Sequence, residues 1–125
     1  CCAAANANLA IIERENLPQL AAETGAYLMG KLQELARYPI VGEVRGLGMA
    51  AAVELWRDPH NKTPFDPPGA AGRIVYETAL RAGVIVRPSG DTITIRPPLV
   101  LTRNQVDTLV HAVAAGIRQV DEQVP

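Results

Sequence analysis

The amino-acid sequence predicts an α+β domain: a small, mostly antiparallel sheet covered on one face by helices. Three observations carry that expectation. Apolar stripes at helical spacing and short strand-like runs alternate as helix, helix, strand, strand, helix, hairpin, helix along 125 residues. No βαβ repeat appears that would require a parallel sheet. Hydrophobic residues make up 48% of the chain, enough for a core, and the helical stripes are one-sided, so they need a surface to cover.

The segment 1–15, CCAAANANLAIIERE, is Ala-rich and carries Leu9, Ile11 and Ile12, so it reads as a helix. Asn16 is a fitting N-cap for the next helix, with Pro18 in its first turn. There Leu17, Leu20, Ala21, Thr24, Leu28, Leu32 and Leu35 recur at steps of three and four. Gly25 and Gly30 weaken that helix without ending it, and Tyr38-Pro39 stops it. Ile40, Val41 and Val44 are strand-like, and Gly46 and Gly48 punctuate. The apolar run 49–56 reads as a second strand, because no capping residue precedes it and a polar loop ends it. That loop, RDPHNKTPFDPPG (57–69), holds four of the ten prolines. Its length is enough to expect either a role of its own or disorder.

A third helix is predicted over 70–82, with Ile74, Val75, Thr78 and Ala79 on one side and Gly83 as its stop. The stretch GVIVRPSGDTITIRPP (83–98) reads as a hairpin with its turn in PSGD, and Pro97-Pro98 ends the pairing. Thr102 opens the last helix, and Gln105 three residues on completes a capping box. Val106, Leu109, Val110, Val113, Ile117 and Val120 form its stripe, the strongest helical pattern in the chain.

Composition narrows the function. The net charge is −1 and the pI about 6.1, so nothing draws phosphate backbones from a distance. Aromatic residues are 4% of the chain, too few to stack bases. Nucleic acid is therefore a poor partner. No apolar run reaches the roughly 18 residues needed to span a bilayer, and no basic-then-apolar leader is present. Cys1 and Cys2 are adjacent, which suits disulfide geometry badly and fits a reducing, cytoplasmic setting. His60 and His111 lie far apart and make no metal-ligand spacing.

GLGMAA (46–51) matches G-x-G-x-x-A, but a strand-like segment follows where a dinucleotide site needs a helix, so a glycine turn is the better reading. Asp58, His60 and Asp66 share the loop as acid–base candidates, and mixed charges on a loop are usually just solvated. Ser89 falls in the hairpin turn, with no G-x-S-x-G elbow around it. Neither lysine, Lys31 or Lys62, has the apolar setting that lowers an amine pKa for covalent catalysis. Two arginines then stand out, because each strand of the apolar hairpin ends in one. Alternation places Ile85 and Arg87 on one face, and Thr92, Thr94 and Arg96 on the face opposite Ile93 and Ile95. A guanidinium fork suits a carboxylate, since it can bond both oxygens. Solvated arginines, or arginines paired with structural acids, are the alternative.

VGEVRGLGMAAAVEL (41–55) together with GVIVRPSGDTITIRPPLVLTRNQVDTLV (83–110) resembles the C-terminal part of class III aminotransferases, pyridoxal-phosphate (PLP) enzymes of fold type I that include the ω-transaminases. The resemblance covers nearly the whole chain. R-G-x-G-M and G-D-x-x-x-x-x-P-P-L are fairly specific in combination and weak singly. The segment 1–15 is similar to the family helix that follows a Gly-His-Pro motif, which places that motif upstream of Cys1. The resemblance implies a small domain, residues 1–125, that packs on a large PLP-binding domain and helps close the active site. It also implies that Arg87, with Gly90-Asp91 in register, swings in to hold a substrate carboxylate and out for an apolar amine. Arg96, directly before a proline as in GABA-transaminase-like patterns, is a secondary candidate. Thr94 occupies the position where ornithine-type members carry their carboxylate arginine, which favours the ω-transaminase branch.

The family's catalytic lysine and its cofactor-nitrogen aspartate match no position here, so the resemblance implies that catalytic residues and PLP belong to a longer parent and that this piece alone is inactive. A sequence that starts mid-pattern without Met carries the same expectation. The implied parent is a homodimer that moves an amino group from an amine or ω-amino acid to a keto acid. A glutamate-1-semialdehyde-type aminomutase of the same fold, and a freestanding non-catalytic α+β binding module, are the rivals. A parent domain further implies an orphaned apolar docking patch around the first helix.

Overall fold

The computed structural model describes residues 1–123. In chain order these form α1 (Cys2–Arg14), α2 (Leu17–Gln33), a 3₁₀ turn (Glu34–Arg37), β1 (Val41–Leu47), β2 (Ala50–Leu55), α3 (Ala70–Arg81), β3 (Arg87–Ser89), β4 (Thr92–Ile95) and α4 (Arg103–Asp121). The sheet order is β1-β2-β4-β3, with every neighbouring pair antiparallel. The α+β class, the element order and the one-sided cover of helices are those the sequence predicts.

Local chemistry accounts for most boundaries. Gly48, at φ +56, turns β1 into β2 across a two-residue connection, so GLGMAA is a hairpin and not a nucleotide loop. After α3 the Gly83 N–H donates to the Leu80 carbonyl and the Val84 N–H to the Ala79 carbonyl, which is the Schellman pattern. Thr102 and Gln105 form the expected capping box: the Gln105 N–H donates to Thr102 Oγ1 and the Thr102 N–H to Gln105 Oε1 at 2.9 Å.

The core lies between the helices and one face of the sheet. Ala51, Val53 and Leu55 of β2 and Ile93 and Ile95 of β4 point into it. All six stripe residues of α4 are buried, each contributing about 1.5–3 kcal/mol of transfer free energy. Helices α3 and α4 run so close that a Cβ on Gly116 would come within 2.7 Å of Val75 Cα. Between α2 and α4, the Tyr27 hydroxyl donates to Asp107 Oδ1 at 2.8 Å, and that bond holds the phenol pKa above its ordinary value.

Asn16 is the N-cap of α2 with Pro18 in the first turn, as the sequence predicts, but its backbone is left-handed and its side chain makes no cap bond; its carbonyl accepts the first helical bond, from the Leu20 N–H at 3.1 Å. Three expectations need correction. Leu20, counted in the α2 stripe, is 36% exposed. Helix α1 buries no residue, so it lays no stripe on the sheet; it packs on α2, away from the strands. The first hairpin strand is only Arg87–Ser89. Residues 84–86 have no strand partner, and the ladder ends at the Arg87–Thr94 pair.

The loop 57–69 is not structureless. Phe65 is 8% exposed and plugs into the core, and Asp58 and Thr63 form an isolated bridge. Its far end meets the hairpin tip. Asp91 Oδ2 accepts from the Gly69 N–H at 2.8 Å and Oδ1 from the Gly72 N–H at 3.0 Å, so a side chain 19–22 residues away caps α3. Gly72 packs directly on the Gly90 carbonyl, where a Cβ could not fit.

Two outcomes follow for urea unfolding. Asp91→Asn keeps one acceptor oxygen of two and lowers stability by about 1 kcal/mol. Gly116→Ala pushes α3 from α4 and costs about 1–3 kcal/mol. A Gly116→Ala chain as stable as the parent would show that the crossing has slack.

Candidate functional site

The face of the sheet turned away from the helices carries the candidate residues. Register places Arg45, Ala52, Thr94 and Arg87 in one row across all four strands, on the side opposite Val53 and Ile93. Arg96 lies just past the end of β4, two residues beyond Thr94. Thus the structure brings both predicted arginines to the same side. Ala50, Ala52 and Thr94 are small, and with Arg45, Leu47 and Arg96 they border a shallow concavity of ≈ 350 Å³. On its other flank Arg96 borders an apolar cleft of ≈ 350 Å³ with Val84, Ile95, Pro97 and Leu101.

The three arginines differ in their tethers. Arg45 Nη1 lies 2.7 Å from Glu43 Oε2 and 3.4 Å from Glu54 Oε2, so its charge is spent on two acids brought side by side by the β1–β2 register. Such half-exposed pairs add about 0–1 kcal/mol each, but they fix where the guanidinium points. Among the described residues, Arg87 and Arg96 have no acidic partner, and both are exposed. The backbone under Arg87 is held: Thr94 Oγ1 donates to the Arg87 carbonyl at 2.8 Å. Arg87 therefore joins a fixed base to a free cationic head.

The remaining candidates fall elsewhere. Ser89 ends β3, exposed. Lys31 pairs with Glu34 at 3.8 Å and sits 5.7 Å from the Tyr27 ring centre, while Lys62 is exposed on the loop. Lys31 borders only a small cleft of ≈ 70 Å³, shared with Asp107 and His111. Asp58 accepts from the His60 N–H at 3.0 Å and from Asn61 Nδ2 at 2.6 Å, so it organises the loop. Among the described residues no group of three His, Cys, Asp or Glu is placed to hold a metal. None of their helices is long and apolar enough to cross a membrane. Thr94 and Asp91 are the residues whose structural roles the sequence reading missed. Alternation put Thr94 on the arginine face, but its partner depends on the register that the Gly90-Asp91 turn imposes.

The aminotransferase class-III family model matches residues 1–117. The chain belongs to the class III aminotransferase family. It is 44% identical over 124 residues to the diaminobutyrate–2-oxoglutarate transaminase of Halomonas elongata, which is 97% of this chain and 26% of that protein. A transaminase structure from work on ancestral reconstruction superposes with a TM-score of 0.93 at 46% identity, covering 100% of this chain and 28% of that one. The ω-transaminase of Pseudomonas jessenii, solved in complex with PMP, gives 0.89 at 38% identity over 94% of this chain and 26% of that one. This chain thus spans about a quarter of the length of these relatives.

The family implies PLP, and the residues of this class III segment do not fit it. Covalent seating needs a lysine in an enclosed, apolar site, and Lys31 and Lys62 both lie on the surface.

The Asp58 carboxyl is held below the ordinary carboxylate pKa, first by the Asn61 side-chain bond and then by the backbone N–H groups of Asn61 and His60. Its ionised form is the one the loop bonds. The contribution to loop order is present above the unfolded pKa and is lost as pH falls through the depressed folded one. In an NMR titration the Asp58 carboxyl should change below the usual range, and Asn61→Ala should raise its midpoint.

Proposed function

We propose that this chain is the small domain of a PLP-dependent class III transaminase that moves an amino group from an amine or ω-amino acid to a keto acid, with Arg87 as the clamp for the substrate carboxylate. One observation carries the assignment within the chain. Of the arginines on the bare sheet face, Arg45 is neutralised by Glu43 and Glu54, whereas Arg87 is exposed, unpaired among the described residues and anchored at its backbone. A planar fork there can take both oxygens of a carboxylate, and it can turn to solvent when an apolar amine is bound. Arg96 is a second carboxylate contact on the same face.

Support for the reaction comes from relatives. The Halomonas elongata protein is named for a diamino acid donor and 2-oxoglutarate, and the Pseudomonas jessenii ω-transaminase is solved with PMP. The catalytic lysine, the residues that hold PLP and the large domain then belong to the rest of a longer chain. Helix α1 suits the docking of that domain: it buries nothing here and exposes Leu9 and Ile11. A homodimer and a reducing, cytoplasmic setting fit the family reading and the exposed free thiols of Cys1 and Cys2.

The test uses the complete enzyme. Arg87→Ala should lower kcat/KM for keto-acid acceptors about 10²-fold, as expected when charged hydrogen bonds worth about 1.5–3 kcal/mol each are lost. Turnover of an apolar amine donor at saturating acceptor should change less than about threefold. Arg87→Lys should recover only part, because an ammonium cannot make the bidentate contact. Equal losses for both substrates would remove Arg87 from the carboxylate site. Activity that needs no external keto acid would point to an aminomutase.

A further inference from the structure

We propose that Thr94 is a positioning residue for Arg87: its hydroxyl fixes the backbone from which the guanidinium reaches a substrate carboxylate. The inference rests on the reading of Arg87 as the carboxylate clamp. It starts from what holds Arg87: the buried Val86 before it, the ladder to β4, and one side-chain bond. This residue is the first of a three-residue edge strand, and the stretch before it, 84–86, has no strand partner. On the far side the edge is open, and Pro88, the next residue, offers no N–H. The β3–β4 ladder is therefore short and one-sided at the point where the position of Arg87 matters most.

Thr94 stands directly across from Arg87 in the register and donates its hydroxyl to the Arg87 carbonyl at 2.8 Å. It is the one side chain in the described hydrogen bonds that touches Arg87. Thr94 itself is well held. It pairs with Ala52 on the other side, and its neighbours Ile93 and Ile95 are 0% and 2% exposed. The bond thus adds a side-chain tie between an edge-strand residue and a core-anchored strand. A β-branched residue keeps χ1 stiff, so the hydroxyl stays aimed without help from a third group.

The side chains of Arg87 and Thr94 lie on the same bare face, yet the bond goes to the Arg87 backbone and leaves the guanidinium free. A clamp that must release its ligand needs that separation. Bonding the head itself, as Glu43 and Glu54 do to Arg45, would park the charge. Fixing the base while freeing the arm narrows the search of the arm without immobilising it, which lowers the ordering cost of each carboxylate capture.

The experiment compares Thr94→Val and Thr94→Ser with Arg87→Ala in the complete, cofactor-loaded enzyme. Val keeps the shape and the strand preference and removes the hydroxyl; Ser keeps the hydroxyl. Loss of one neutral hydrogen bond predicts that Thr94→Val raises KM for a keto acid, and Kd for an unreactive aliphatic carboxylate measured by calorimetry, about three- to tenfold. Its kcat and its KM for an apolar amine should stay within about twofold. Thr94→Ser, which keeps the hydroxyl without the branched Cβ, should restore most of the parent's carboxylate binding in both measurements. Unchanged carboxylate binding in Thr94→Val, an equal rise for both substrates, or a Thr94→Ser variant as impaired as Thr94→Val would each overturn the inference. If Arg87→Ala itself leaves carboxylate binding untouched, the clamp reading fails first; if it weakens binding and Thr94→Val does not, only the role of Thr94 falls.

Discussion

The carboxylate of Asp91 on the first turn of α3 is the interaction around which this domain is arranged. It satisfies two N–H groups that the helix cannot satisfy itself. In the same stroke it fixes the tip of the β3–β4 hairpin and the end of the long loop from β2. The backbone of Asp91 is also committed, since its carbonyl accepts from the Leu55 N–H at 3.0 Å. One residue thereby joins a helix, a hairpin and the last residue of a central strand. The close seat of Gly72 on Gly90 is what allows the contact to be so short.

With that joint set, the register of the hairpin is no longer free. The turn at Gly90-Asp91 pairs Ser89 with Thr92 and hence Arg87 with Thr94. A slip of one residue would turn Ile93 and Ile95 to solvent and bring Thr92 and Thr94 into the core. The apolar burial of β4 and the placement of a cation on the bare face are therefore one constraint. The core side enforces the geometry, and the other side follows from it.

Much of this could be read from local signals. The capping box at Thr102, the Gly83 stop and the six-residue stripe of α4 are short-range chemistry, and the structure has all three. The position of Arg87 and Arg96 on one face followed from alternation alone. What stayed hidden depends on distance in the chain. Nothing near Asp91 announces a helix 19–22 residues earlier as its partner. Asn16 is the N-cap its residue type announces, yet its left-handed backbone and missing side-chain cap bond are not announced. Helix α1 buries no residue, and neither its Ala-rich composition nor Leu9, Ile11 and Ile12 tells which surface it packs on. The brevity of β3 was not legible either, because the apolar run 84–86 reads as strand while the ladder ends at Arg87.

The two ends of the sheet have a consequence for assembly. At the β3 edge Pro88 interrupts the row of donors. At the β1 edge Glu43 and Arg45 place charges, and the Gln33 side chain already donates to the Val44 carbonyl at 3.2 Å. Both borders are thus poor templates for a further strand. A domain blunted in this way resists lateral polymerisation even when handled apart from larger surroundings. The surfaces left for a neighbour are its flat faces, one of helices and one of bare strands, where shape and charge and not hydrogen-bonded extension set the fit.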